Sequence, residues 1–85
     1  MSESIIANKS FSFAIGIIKV YKYIIANKKE FVLSKQLLRS GTAVGALIRE
    51  TQNAESKIDF IHKVGIAQKE CDEFLYWLEL LYESD

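Results

Sequence analysis

Eighty-five residues, 49% of them hydrophobic and 26% charged, suffice for one domain around one modest core. Eleven Lys and Arg against eleven Asp and Glu leave no net charge, which argues against strong nucleic-acid binding by a single copy. The absence of proline and the presence of only four glycines argue against an all-β fold built on tight turns, and a single cysteine, Cys71, excludes an internal disulfide.

In chain order, Met1 to Asn8 lack the basic start, apolar run and small-residue cleavage site of a signal peptide, so the expected location is cytoplasmic. A first helix is expected from about Lys9 to Asn27, capped by Asn8 or Ser10. Phe11, Ala14, Ile18, Tyr21 and Ile25 recur at helical spacing, and a second stripe of Phe13, Ile17, Val20 and Ile24 runs beside them. Together they cover roughly 200° of the helix, about twice what one neighbour can hide, so this helix is expected to be central or to touch another subunit. Lys19 and Lys22 interrupt the run, which is also too short for a membrane span.

Asn27 to Glu30 form a polar break. Ser34 is then the expected cap of a second helix from about Lys35 to Asn53, with Leu37, Val44 and Ile48 as its core stripe. Gly41 and Gly45, four residues apart, leave a groove almost free of side chains on the flank of that stripe. The two glycines together cost the helix roughly 2 kcal/mol relative to alanine, so close packing, here assigned to a partner subunit, is expected to compensate. A break at Ser40-Gly41-Thr42 is the alternative.

The third helix opens at Ser56, which with Asp59 three residues on forms a variant capping box. Phe60, Val64, Ala67, Cys71, Phe74, Leu75, Leu78 and Tyr82 form its expected core face. Ile58, Ile66, Tyr76, Trp77 and Leu80 project elsewhere and are expected to form a second apolar surface for self-association, with Ile66, Tyr76, Trp77 and Leu80 as its interface residues.

Charge divides along the chain. Through Asn53 there are eight Lys and Arg against three acids, and from Ala54 onward three against eight. Either the two halves neutralise each other within one bundle, or one basic face is offered to a polyanion or to another copy. On the second helix, Lys35, Thr42, Arg49 and Asn53, with Arg39 at the edge, fall within roughly 80° of arc on the side away from Leu37 and Val44. Lys28 and Lys29 extend this basic stripe toward a phosphate backbone. In the structural alternative Arg39 and Arg49 instead pair with Glu50, Glu55 or acids of the third helix.

Chemistry beyond binding finds little support. His62 stands alone, with no nucleophile at a useful spacing, and the Glu70/Glu73 and Asp59/His62 pairs lack the matching carboxylates on other helices that a di-metal bundle requires. We therefore expect no enzyme activity, no cofactor, no metal and no small-molecule substrate.

The run Lys9-Ser10-Phe11 with Phe13-Ala14, then Ser34-Lys35-Gln36-Leu37-Leu38-Arg39-Ser40-Gly41, Val44-Gly45-Ala46, Ile48-Arg49-Glu50, Glu55-Ser56-Lys57, Asp59-Phe60 and Trp77-Leu78-Glu79-Leu80-Leu81, resembles the four-helix bundle proteins of bacterial 23S rRNA intervening sequences. The resemblance extends from Lys9 to Leu81 in order and spacing. It implies an all-α, antiparallel up-down bundle that assembles as a homopentamer, and a relationship to the accessory proteins of diversity-generating retroelements, which act with nucleic acid. Self-association and RNA or DNA binding are the partners it implies. Leu47 departs from the family, which usually has asparagine there. The chain is expected to contribute three helices of the four-helix family fold as a single domain, since Asp85 falls where members turn into a fourth.

Overall fold

The computed structural model describes residues 5–84; Glu3 and Asp85, counted in the charge halves above, lie outside them. The described chain is all-helical, with α1 at Ile5–Asn27, α2 at Val32–Thr51 and α3 at Lys57–Ser84. Short connections fold consecutive helices back on one another, and α2 lies in the middle, packed against both neighbours. The Cα atoms of α1 and α3 nowhere come within 8 Å of each other. The result is a slab of 43 × 24 × 15 Å, about one helix layer thick.

The first helix begins at Ile5, earlier than its Lys9 expectation, so Ser10 is an interior residue and not a cap. Likewise α2 begins before Ser34, which is fully buried within it. Glu30 does the capping instead. Its carboxylate accepts hydrogen bonds from the N–H groups of Val32 and Leu33 at 3.1 and 3.0 Å and from Ser34 N–H at 2.7 Å, while the Ser34 hydroxyl donates to the Glu30 carbonyl at 2.6 Å. Desolvation is the largest single influence and pushes the Glu30 carboxyl up, but the bonds from Leu33, Ser34 and Val32 together prevail and hold it below its ordinary value. Its stabilisation is therefore present above the unfolded carboxyl pKa and lost as pH falls through the folded one.

Ser56 caps α3 as expected, Asp59 N–H donating to Ser56 Oγ, while the Asp59 carboxylate reaches one residue further back than a capping box requires and accepts from Glu55 N–H, both at 3.0 Å. The alternative of a break at Ser40-Gly41-Thr42 is not realised, since α2 is continuous there.

The core is small because α2 is slender where its neighbours approach. Leu37 is wholly buried and packs with Ile17 of α1 and Phe74 of α3, with Ile24, Leu38, Trp77 and Leu81 around them. Ser40, also fully buried, donates its hydroxyl to the Gln36 carbonyl at 2.8 Å, so a small polar side chain is accommodated without an unsatisfied group. A Cβ on Gly41 would stand 2.9 Å from Ile17 Cγ2 and 3.2 Å from Phe74 Cδ1; one on Gly45 would stand 3.1 Å from the Ser10 carbonyl oxygen. The glycine groove is thus filled from within the chain, chiefly by α1, which corrects its assignment to a subunit interface.

The orientation of α3 also differs from the expectation. Ala67 and Phe74 face α2, with Trp77 and Leu81 packed on the core, whereas Phe60, Val64, Leu75, Leu78 and Tyr82 are exposed. Trp77, assigned above to an interface, belongs to the chain's own core, and its indole N–H points to Glu73 Oε1 at 3.5 Å. Cys71, on the edge of the face, is half-buried. The apolar arc of α3 is wide enough to serve two neighbours, and α2 takes the half that carries Ala67, where close approach is cheapest.

Candidate nucleic-acid interface

Between α1 and α3 an open apolar groove of about 640 Å³ is lined by Tyr23, Ile24, Leu78, Leu81 and Tyr82, with Lys28, Glu30 and Ser84 at its margin. Phe13 bridges toward α3 further along, its ring 5.5 Å from that of Phe74 in an edge-on arrangement. Accessible area reflects this openness: the chain exposes 6218 Å², against roughly 5,100 Å² for a compact monomer of 9.7 kDa.

The remaining interface expectations divide. Tyr76 is 55% exposed and meets Trp77 edge-on at 5.3 Å, while Ile66 and Leu80 are half-buried. The larger unpartnered apolar surface lies instead at Phe60, Val64, Leu75, Leu78 and Tyr82, the residues whose spacing had suggested the core.

The first two helices are rich in base and poor in acid. Between Ile5 and Asn27 α1 carries Lys9, Lys19 and Lys22 and no carboxylate, and α2 carries Lys35, Arg39 and Arg49 with Glu50 as its one acid. Lys35 is exposed on the outer side of α2 and makes no ion pair among the described residues. Lys28 and Lys29 occupy the connection between the helices, where Lys29 adopts a left-handed φ of 58° that glycine would take more readily. Arg49 is exposed, and its guanidinium carbon lies over the Phe11 ring, 5.4 Å from the centroid.

Arg39 is different. Its guanidinium reaches across to α3, pairing with Glu70 at 3.1 Å and with Glu73, so its charge is already offset by carboxylates. The structural alternative describes it better than the phosphate-binding one. With the arginine side chain 47% exposed, each such pair contributes at most about 1 kcal/mol, enough to orient α3 against α2 but not to hold it there alone.

Among the described residues, no group of three or more His, Cys, Asp or Glu is placed to hold a metal ion, and no helix is long and apolar enough to cross a membrane. His62 is exposed on α3. Sequence reasoning missed Phe11 as a surface residue. The register shows only that Phe11 and Phe13 point about 160° apart around α1; it is the packing of Phe13 on Phe74 that leaves Phe11 on the opposite flank.

Comparison with known proteins supports the helical-bundle fold. The family model described as 23S rRNA-intervening sequence protein matches residues 2–85. A crystal structure of a protein with unknown function, from the S23 ribosomal protein family of Bacteroides thetaiotaomicron, is 51% identical, with a TM-score of 0.91 over 95% of this chain and 75% of that one. No curated protein matches the chain.

Proposed function

This chain belongs to the 23S rRNA-intervening sequence protein family, and we propose that it acts there as a non-enzymatic, self-assembling helical-bundle protein of the cytoplasm that associates with RNA. The observation that carries this reading is the segregation of charge by the fold. Helices α1 and α2 offer the exposed Lys35 and Arg49, with Glu50 as the one acid between Ile5–Asn27 and Val32–Thr51, while the carboxylates Glu70 and Glu73 are drawn to Arg39 on the α3 side. A neutral monomer binds a polyanion weakly, but copies arranged in a ring, a homopentamer by family resemblance, repeat the stripe and multiply the contact. The apolar groove between α1 and α3 and its flanking residues supply surface for that assembly.

The expected result of changing Lys35 and Arg49 together to Gln is a similar loss of affinity for unrelated RNA sequences, with a shallower dependence on salt, because phosphate contacts position without specifying. The slope of log K against log salt should fall by roughly 0.7–0.9 for each phosphate contact removed. Circular dichroism and assembly mass should be unchanged, as both side chains are exposed. Unfolding of the double variant, or unaltered RNA affinity, defeats this assignment. The open apolar face favours a second reading, a protein–protein scaffold without nucleic acid, which gains if the parent binds no RNA at low salt.

A further inference from the structure

Phe11 is 54% exposed, yet it is not a bare apolar residue, because the Arg49 guanidinium lies over its ring at 5.4 Å. The pair joins the first half of α1 to the last turn of α2, at one end of the valley between these helices. Lys35, fourteen residues earlier on α2, stands roughly 21 Å along the same helix. Ile15, one turn from Phe11 and 39% exposed, extends the apolar surface beside the pair.

We propose that Phe11 and Arg49 form a stacking site for an unpaired base, so that this protein prefers single-stranded or looped RNA to duplex. The inference rests on the polyanion-binding reading of the same face and adds a substrate class to it. An aromatic ring combined with a guanidinium offers flat surface and positive charge together, which suits the π-face of a base and the phosphate beside it. In a duplex those base faces are stacked on one another and unavailable. A merely cationic face would bind duplex at least as well, since duplex carries the denser charge. Phe11 is what would reverse that order.

The test measures binding of an unstructured RNA and of a duplex of equal length, at one low salt concentration, by the parent, Phe11→Leu and Phe11→Trp. Leucine keeps an apolar side chain at this position and removes the π-face; tryptophan enlarges it. Phe11→Leu should weaken single-strand binding about 5- to 100-fold and leave duplex binding unchanged, while Phe11→Trp retains or tightens single-strand binding. Equal losses on both RNAs, no loss on either, or a parent that prefers duplex would overturn the stacking site and leave the polyanion reading standing. A parent that binds neither RNA overturns both. If Phe11→Leu changes the assembly mass while Phe11→Trp fails to restore single-strand preference, the ring belongs to a subunit contact and the stacking site is likewise rejected.

Discussion

Leu37→Ala is expected to lower folding stability by about 2–5 kcal/mol. Among the described residues Leu37 is the one large apolar side chain with no exposure at all, and it packs with Ile17 of α1 and Phe74 of α3. Removing its branched end leaves a cavity bounded by three helices, and the fully buried Ser34 and Ser40 are too small to collapse into it. A domain of this size has on the order of 4–13 kcal/mol in total, so the loss is a substantial part of the whole. Chemical denaturation should show a lower midpoint with little change in slope, whereas Leu37→Met, which roughly conserves volume, should cost less than about 1.5 kcal/mol. Equal effects of alanine and methionine would mean that the site is more loosely packed than its complete burial indicates.

The second large effect is steric and depends on which glycine is changed. Gly45→Leu should destabilise by about 1–3 kcal/mol or more, despite a propensity gain of roughly 1 kcal/mol. The first side-chain carbon already approaches the Ser10 carbonyl oxygen to 3.1 Å and Ala14 Cβ to 3.5 Å, so further carbons would have to displace α1. Backbone cannot rotate away as a side chain can. Gly41→Ala should also be destabilising, because its Cβ meets the branch of Ile17 at 2.9 Å and the Phe74 ring at 3.2 Å within the core. Gly65 has nothing within 4 Å, and alanine there should instead gain up to about 1 kcal/mol from helix propensity. Thermal denaturation of the three variants should therefore give two decreases and one increase. A higher melting temperature for Gly45→Leu would show that α1 does not occupy the groove.

Three helices follow from apolar spacing, and the Ser56–Asp59 cap is legible because both residues lie beside the helix that they start. The cap of α2 is not legible in the same way. Glu30 sits within a polar break, and only the backbone path brings one carboxylate onto three successive N–H groups. Periodicity also shows that the apolar arc of α3 is wide without showing which part α2 covers. Trp77 and Leu78 are adjacent in sequence and on opposite sides of that decision, which depends on where Ala67 and the slender flank of α2 can come closest. The basic face is partly legible for the same reason. Exposure of Lys35 follows from its distance in register from Leu37, but the fate of Arg39 depends on which acids of α3 come to rest opposite it.

The covering of the open face and the binding of RNA can be tested together by the mass of the protein in solution, measured by light scattering with and without an unstructured RNA at low and at moderate salt. The expected result is a multiple of 9.7 kDa in the absence of RNA, a heavier complex with RNA at low salt, and release of the RNA as salt rises without loss of the protein assembly. A species of 9.7 kDa at micromolar concentration, or an assembly whose mass RNA leaves unchanged at low salt, contradicts the account.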